Sequence, residues 1–251
     1  MTIKDWKFKQ LGEVPFFIGT KPQLLDTLPS NALISVFTPN PEQMVLAWNN
    51  PKFYKLLEEN DLNIPDGQGI VWALGEPKLQ RIAGRELFHD LLQKAQKENL
   101  RVFLVGGKKG SAAAIAAKYQ IPNSKFQIFF DPGAKDIQNE TDEERERVLQ
   151  AIERERPEFI FVAYGAPWQE FWIEQNHTRL EAAGVKLAMV VGGAFEYESG
   201  RVPKVSPTIE RLHLEWLQRL ITEPWRWRRQ LTGLTFFVQI AVHKLQKNLQ
   251  N

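Results

Sequence analysis

The residues best suited to chemistry in this sequence follow short apolar runs that are typical of buried strands. Asp66 and Gly67 come directly after one such run, residues 62–65. Four other runs are also followed by polar residues and glycines: Thr38 and Asn40, Gly106 and Gly107, Gly165 to Gln169, and Gly192 and Gly193. Because ligands of open parallel sheets bind at the carboxyl ends of the strands, we expect these residues to converge on one site.

Asp66 is the only carboxylate among these strand-end residues. An ionised Asp66 could act as a general base that takes a proton from an acceptor hydroxyl as its oxygen attacks. The alternative is structural, because an Asp-Gly pair at a strand end is also typical of a turn, and Asn40 before a helix is typical of a cap. The convergence of several such residues carries more weight than any one of them.

Several common sites are excluded by inspection. Residues 105–110 read Val-Gly-Gly-Lys-Lys-Gly, which fits neither the G-x-G-x-x-G spacing nor the paired G-K-[ST] of a phosphate-binding loop. No G-x-S-x-G nucleophile elbow is present. The four histidines have no paired ligand spacing, and the chain has no cysteine. We therefore expect no metal and no bound cofactor. What remains is a sheet edge lined by glycines, which suits a nucleotide-bearing ligand.

From residue 31 onward, apolar runs alternate with helical patterns, which is typical of a parallel sheet covered by helices on both faces. We predict six strands, at residues 32–37, 62–65, 101–105, 125–130, 159–163 and 185–191. Predicted helices begin at Pro41, after an Asn40 cap, and near Gln68, and others occupy residues 51–59, 86–98, 111–119, 142–156 and 167–183. The predicted fold class is α/β, with a doubly wound, Rossmann-like, mostly parallel sheet.

The chain has 251 residues, enough for one large core, and its formal charge of +2 hides an uneven distribution. Residues 201–251 contain nine basic and three acidic residues, a charge of +6, whereas residues 1–200 contain 23 basic and 27 acidic residues, a charge of −4. We predict a catalytic domain over residues 1–200 and a basic, tryptophan-rich helical appendage over residues 201–251. Such an appendage suits an anionic membrane, a phosphate-bearing ligand or nucleic acid.

The longest apolar stretch, roughly residues 231–242, is shorter than the ~20 residues that a spanning helix needs. The first ten residues are polar and charged, unlike a secretory signal. These features predict a cytoplasmic protein that touches a bilayer without crossing it. The same stretch could serve a partner subunit, so a homo-oligomer remains an alternative.

Seven motifs, in order along residues 31–229, resemble those of the WecG/TagA/CpsF glycosyltransferases, glycosyltransferase family 26. They are Thr-Pro-Asn at 38–40, Pro-Asp-Gly at 65–67, Arg-Ile-Ala-Gly at 81–84, Phe-Leu-Val-Gly-Gly at 103–107, Gly-Ala-Pro-Trp-Gln-Glu at 165–170, Val-Gly-Gly-Ala-Phe at 191–195, and Leu-Glu-Trp-Leu-Gln-Arg-Leu at 214–220 with Glu-Pro at 223–224. Each motif alone is weak, but seven in register are highly specific.

The resemblance implies an inverting transferase that moves a sugar from a UDP-sugar donor to a polyprenyl-diphosphate-linked saccharide at the inner face of the cell membrane. It implies that Asp66 is the general base. The substrate-binding residues that it implies, together with the strand-end glycines, are Thr38, Asn40, Arg81, Gly106, Gly107, Gly165, Gln169, Glu170 and Gly193. The appendage is implied to contact an anionic membrane surface and to bring arginines over the pocket, with Arg211, Arg219 and Arg226 as candidates.

This sequence departs from the family pattern at four positions. Ala83 and Glu86 stand where members commonly have Thr and Asp, Trp168 where they have Lys, and Glu196 where they have Asp. These changes leave the donor sugar open among N-acetylmannosamine, its uronate and glucose. Asp66 is intact, so we expect catalysis in cell-surface polysaccharide synthesis.

Two other classes of function are weighed against an enzyme. A non-catalytic nucleotide-sugar-binding protein at a membrane surface would have no reason to keep Asp66 together with Thr38, Asn40 and Gln169. Nucleic-acid binding through the basic appendage gains little support, since residues 1–200 are acidic and no known reader motif occurs. We therefore expect no nucleic-acid partner.

Overall fold

The structure is a computed structural model, and it describes residues 6–28, 31–108, 110–120, 124–202 and 235–242. The described chain begins with an antiparallel hairpin of β1 (Phe8–Leu11) and β2 (Val14–Phe17), followed by helix α1 (Lys21–Thr27). No strand or helix is predicted from the sequence for this region. The hairpin is attached to the rest of the molecule through buried Asn63, whose Nδ2 donates to the Pro15 carbonyl oxygen at 3.0 Å.

Six strands form the central sheet, and all of their pairings are parallel. They are β3 (Ile34–Phe37), β4 (Leu62–Asn63), β5 (Arg101–Gly106), β6 (Gln127–Asp131), β7 (Phe159–Ala163) and β8 (Leu187–Val190). Their spatial order is β4-β3-β8-β7-β5-β6. The predicted α/β fold with a parallel sheet is therefore confirmed, and the predicted strand ends agree to within about two residues.

Of the eight α-helices that the structure describes between the first strand of the sheet and residue 202, seven occur where the sequence predicts them, and the last, at residues 194–198, was not predicted. The eight helices are α2 (Pro41–Trp48), α3 (Pro51–Glu59), α4 (Gln68–Leu74), α5 (Gly84–Glu98), α6 (Ser111–Tyr119), α7 (Asp142–Glu155), α8 (Trp168–Ala182) and α9 (Ala194–Glu198). Asn40 caps α2 as predicted, because its Oδ1 accepts from the Gln43 N–H at 3.0 Å while Gln43 Oε1 accepts from the Asn40 N–H at 3.0 Å. These reciprocal bonds satisfy backbone donors that the first turn leaves without helical partners.

The sheet is covered on both faces, as its continuous apolar strands require. All five residues of β7 are buried. Phe159 and Phe161 pack in a cluster with α5 and α6, whereas Ile160 and Val162 pack in a second cluster with α2, α3, α7 and α8. Alternate side chains of one strand therefore belong to opposite cores, which is the doubly wound arrangement.

The position of the site follows from the strand order. β5 and β7 are neighbours, but the chain leaves β5 through α6 towards β6 and leaves β7 through α8 towards β8. The two helices lie on opposite faces of the sheet. Such a change of direction leaves a crevice at the carboxyl ends of the two strands, where α/β proteins bind ligands.

Residues 235–242 form a helix that packs on the α/β body. Phe236 is fully buried and stacks on Trp48, with 5.5 Å between ring centroids and 7° between planes. Ile240 is also buried, whereas Phe237 is 40% exposed and Val238 is 63% exposed. Part of the apolar stretch predicted to meet a bilayer or a partner subunit thus completes the core of this chain.

The candidate arginines of the appendage, Arg211, Arg219 and Arg226, lie outside the described residues. None of the helices in the described part of the chain has the length and apolar character that a bilayer span requires.

Candidate active site

A cleft of about 520 Å³ opens at the carboxyl ends of the sheet strands. Eight of the residues predicted to be catalytic or substrate-binding line this cleft: Thr38, Asn40, Asp66, Gly106, Gly107, Gly165, Gln169 and Gly193. They come from the ends of five strands, β3, β4, β5, β7 and β8. The structure therefore brings together residues that are far apart in the chain, while their chemical roles stay predictions.

Asp66 lies where the segments after β3 and β4 run side by side. The Ile64 N–H donates to the Phe37 carbonyl oxygen at 2.8 Å, and the Asp66 N–H donates to the Pro39 carbonyl oxygen at 3.4 Å. Gly67 then adopts a φ of +97°, a region that residues with a Cβ rarely occupy. The Asp-Gly pair is thus a turn and also part of the cleft, so the two interpretations of Asp66 are compatible.

The Arg81 to Gly84 motif packs against this edge. The Ile82 N–H donates to the Pro65 carbonyl oxygen at 3.4 Å, and a Cβ on Gly84 would lie 3.0 Å from Thr38 Oγ1. The glycine therefore lets the first turn of α5 approach the end of β3 closely. Arg81 itself is not among the described lining residues, and its Nη2 lies 3.7 Å from Glu86 Oε1.

The loop after β5 is held by α9. Gly106 and Gly107 have φ values of +80° and +84°, and a Cβ on Gly107 would lie 2.6 Å from Phe195 Cδ2. The next backbone N–H, of Lys108, donates to buried Glu196 Oε1 at 2.9 Å. Glu196 therefore fixes the glycine loop that forms the floor of the cleft.

Gln169 joins the loops that follow β7 and β8. Its Oε1 accepts hydrogen bonds from the Gly165 and Gly192 N–H groups, both at 3.1 Å. Glu170, predicted to bind substrate, does not line the cleft among the described residues and is 1% exposed. Burial raises the pKa of its carboxyl to about 7, although the hydrogen bond from Gln169 acts in the opposite direction and lowers this pKa. Glu170 thus lies behind Gln169, buried below the described lining of the cleft.

One wall of the cleft was missed by the sequence analysis. It follows β6 and consists of Pro132, Ala134, Lys135, Asp136 and Ile137, with Tyr164 beside it. The Tyr164 hydroxyl accepts from the Ala134 N–H at 3.3 Å, and burial raises the pKa of this hydroxyl. The sequence does contain a signal for this wall, since Asp-Pro-Gly at residues 131–133 follows the predicted strand at residues 125–130.

Asp66 is not the only carboxylate of the cleft, since Asp136 and Glu196 also line it. Asp136 caps a short 3-10 helix, Ile137–Asn139: its Oδ1 accepts from the Gln138 N–H at 3.1 Å. Glu196 accepts from the Lys108 N–H. Both added carboxylates therefore have structural partners within the cleft wall.

Three cations line the cleft as well, Arg85, Lys108 and Lys135. The Arg85 guanidinium lies 5.7 Å from the centre of the Tyr197 ring. The described residues include no group of three or more His, Asp or Glu side chains that could hold a metal ion. The cleft thus combines cations, glycine loops and Asp66, which suits an anionic ligand that reacts with a hydroxyl group.

Comparison with known proteins adds independent information. The model of the Glycosyl transferase WecG/TagA/CpsF family matches residues 10–250. A protein of Bacillus spizizenii is 34% identical over 223 residues, which cover 86% of this chain and 82% of that protein. A Bacillus subtilis protein is 35% identical over 85% of this chain and 80% of its own length, and a Staphylococcus aureus protein is 30% identical over 84% and 79%. All three are named N-acetylglucosaminyldiphosphoundecaprenol N-acetyl-beta-D-mannosaminyltransferase.

Proposed function

This chain belongs to the WecG/TagA/CpsF glycosyltransferase family, and on that basis we propose that it transfers N-acetylmannosamine, or a related hexose, from a UDP-sugar to a polyprenyl-diphosphate-linked saccharide. Its membership makes it a glycosyltransferase. The names of the relatives support both the donor sugar and an acceptor that carries N-acetylglucosamine on diphosphoundecaprenol. The product would enter cell-surface polysaccharide synthesis.

In the proposed reaction, Asp66 takes the proton from an acceptor hydroxyl while that oxygen attacks the anomeric carbon of the donor. The bond from the anomeric carbon to the diphosphate oxygen breaks, and UDP leaves with the electron pair, so the anomeric configuration inverts. One observation carries this assignment: Asp66 shares the cleft with Thr38, Asn40 and the glycine loops. An ionised carboxylate in this position can accept the proton of the attacking hydroxyl.

The glycine loops and cations support binding of the UDP moiety. Gly106, Gly107 and Gly165 have no Cβ, so a diphosphate can approach their backbone closely. Arg85, Lys108 and Lys135 supply positive charge at the same cleft. Oxygen-rich, anionic groups are stabilised by such charges and by backbone N–H donors.

A transfer assay tests this proposal. The full chain is incubated with UDP-N-acetylmannosamine and a polyprenyl-diphosphate N-acetylglucosamine, and we expect formation of the disaccharide-lipid and of UDP. Other UDP-sugars in parallel identify the preferred donor. Stabilisation by a UDP-sugar in thermal unfolding without turnover of any donor would instead favour the non-catalytic binding protein.

We also propose that the appendage holds the protein at an anionic membrane surface on the cytoplasmic side through Arg211, Arg219 and Arg226. The support is the charge of +6 over residues 201–251. Because Phe236 is part of the core, deleting the whole appendage would also damage the fold. Replacing the three arginines with Gln leaves Phe236 in its place and is therefore the cleaner experiment.

The matched control replaces three exposed lysines of the α/β body, Lys52, Lys97 and Lys125, with Gln and removes the same charge. The arginine variant should lose sedimentation with phosphatidylglycerol vesicles, whereas the lysine variant should keep it. Equal binding by the two variants would contradict a role for the appendage arginines.

A further inference from the structure

A buried hydrogen-bonded chain links the two sides of the cleft. Glu170 Oε1 accepts from Gln169 Nε2 at 3.1 Å and from Gln43 Nε2 at 3.4 Å. Gln43 belongs to α2 and Gln169 to α8, and both residues line the cleft, whereas Glu170 does not. We propose that Glu170 is a positioning residue, which fixes the side-chain amides of Gln43 and Gln169 and so determines which of their atoms a ligand meets.

The argument rests on the hydrogen-bonding capacity of an amide, which has two N–H donors and two acceptor lone pairs on its oxygen. An oxygen atom of Glu170 that accepts from both glutamines requires their NH2 groups to face it. The amide oxygens must then face the other way. In Gln169, that oxygen accepts from the Gly165 and Gly192 N–H groups, so both lone pairs are used.

If the side-chain amide of Gln169 were rotated so that its oxygen and NH2 group exchanged places, each of its three hydrogen bonds would be lost. The oxygen of Gln169 would face the oxygen of Glu170, and its NH2 group would face two backbone N–H groups. Buried polar groups without a partner cost about 1–3 kcal/mol each. Glu170 therefore selects one orientation, in which one N–H of Gln169 has no partner among the described residues and both lone pairs of its oxygen are used.

This orientation defines the ligand chemistry at that point. Gln169 can only donate, so it recognises an oxygen with a lone pair, such as a sugar hydroxyl, carbonyl or phosphate oxygen, and cannot accept from a ligand N–H. Gln43 has one N–H of the same kind, because its other N–H binds Glu170 and its oxygen binds the Asn40 N–H. The inference that these donors serve sugar transfer rests on the proposed function, whereas the amide orientation does not.

Glu170 also couples two regions that would bind different substrates. Gln43 is bonded to Asn40, next to the Pro39 carbonyl that accepts the Asp66 N–H. Gln169 holds the loops of Gly165 and Gly192. The second oxygen of Glu170, Oε2, is buried and has no hydrogen-bond partner among the described residues.

Two conservative variants separate the acceptor atom from the charge. Glu170→Gln removes the charge and keeps an oxygen that can accept from both amides. Glu170→Asp keeps the charge and withdraws the oxygen by one methylene. Amide hydrogen exchange of the full chain measures the effect at the Gly165 and Gly192 N–H groups, with the N–H groups of α7 as the internal reference.

We expect exchange at Gly165 and Gly192 to rise about tenfold in Glu170→Asp and to stay within about twofold of wild type in Glu170→Gln. The apparent KM for the UDP-sugar should rise in the Asp variant and not in the Gln variant. Faster exchange in Glu170→Gln than in Glu170→Asp would overturn the proposal, as would wild-type exchange in both variants.

The exchange measurement needs no turnover. If the wild-type chain transfers no sugar but the exchange pattern is as expected, the proposed function fails and the positioning role stands. If Glu170→Asp loses protection from exchange throughout the sheet, the test rests on Glu170→Gln alone. A tenfold rise in the exchange rate of the Gly165 and Gly192 N–H groups in that variant would contradict positioning by an acceptor atom.

Discussion

The backbone N–H of Asp66 donates a hydrogen bond to the carbonyl oxygen of Pro39 at 3.4 Å. The two residues follow β4 and β3, which are adjacent parallel strands with Asn63 paired to Phe37. This contact draws the segment that carries the carboxylate against the segment that carries Thr38 and Asn40. Asp66, Thr38 and Asn40 therefore line the same part of the cleft.

Gly107 is the position where an added methyl group should be most disruptive to the glycine loop. Gly107→Ala forces a Cβ to 2.6 Å from Phe195 Cδ2 and 2.7 Å from Ser111 Oγ, at a φ of +84°. Gly75→Ala is the control, since it has a φ of +62° with no atom within 4 Å. We expect the control to lower the free energy of unfolding by about 1–2 kcal/mol from backbone strain, and Gly107→Ala to lower it further and to raise the KM for the donor. Denaturant unfolding that gives equal losses for the two variants would contradict the clash.

Glu196 should act on donor binding through the Lys108 N–H. Glu196→Ala leaves this N–H without its acceptor at 2.9 Å, so the glycine loop loses its connection to α9. The KM for the UDP-sugar should rise roughly tenfold, with a smaller change in the KM for the lipid acceptor. Glu181→Ala, at an exposed position of α8, should leave both constants unchanged. Parallel increases in both KM values for Glu196→Ala would argue against a specific effect on the donor.

Glu170 predicts a particular pH dependence of stability. Its pKa is about 7 in the folded chain and 4.5 as the reference value, so the folded state binds more protons than the unfolded state between these values. Its contribution to stability is therefore fully present below pH 4.5 and is lost as the pH rises through 7. Relative to Glu170→Gln, the wild type should lose roughly 3 kcal/mol of unfolding free energy across this window. Denaturant unfolding at several pH values tests this, and a constant difference between the two proteins would contradict a buried carboxyl that titrates there.

The helix at residues 235–242 should contribute to the stability of the α/β body. Phe236→Ala removes a fully buried ring that stacks on Trp48 and should cost about 3–5 kcal/mol. Phe237→Ala removes a ring that is 40% exposed and should cost much less. Equal thermal unfolding temperatures for the two variants would mean that this helix does not pack on the body as described.

The strands and helices of the α/β body could be predicted because their signals are local. Residues 159–163 are a continuous apolar run, and Asn40 with Pro41 is a helix start that depends on neighbours in sequence. The pairing of Gln43 with Glu170 could not be predicted, since 127 positions separate them and only the strand order brings α2 next to α8. The burial of Phe236 could not be predicted for the same reason, since an apolar ring is compatible with the protein core, with a bilayer and with a subunit interface.

The outcome for Glu170 and Arg81 illustrates a second limit. Both lie in motifs that resemble the family, and the sequence gives no way to distinguish a residue in the lining from one behind it. Glu170 is buried behind Gln169, and Arg81 pairs with Glu86. Neighbouring residues of one motif can thus lie either in the lining of the cleft or behind it, because successive residues of a helix or loop face different directions.

The most direct test of the account is the turnover of Asp66→Asn with UDP-N-acetylmannosamine and the lipid-linked acceptor. The amide keeps the size of the side chain but cannot take the proton, so kcat should fall by about 10²–10⁴ while the thermal unfolding temperature and the Kd for UDP stay near wild type. Asp136→Asn, at another carboxylate of the cleft, should lose less than about tenfold. A wild-type kcat in Asp66→Asn, or an equal loss in the two variants, would contradict Asp66 as the base.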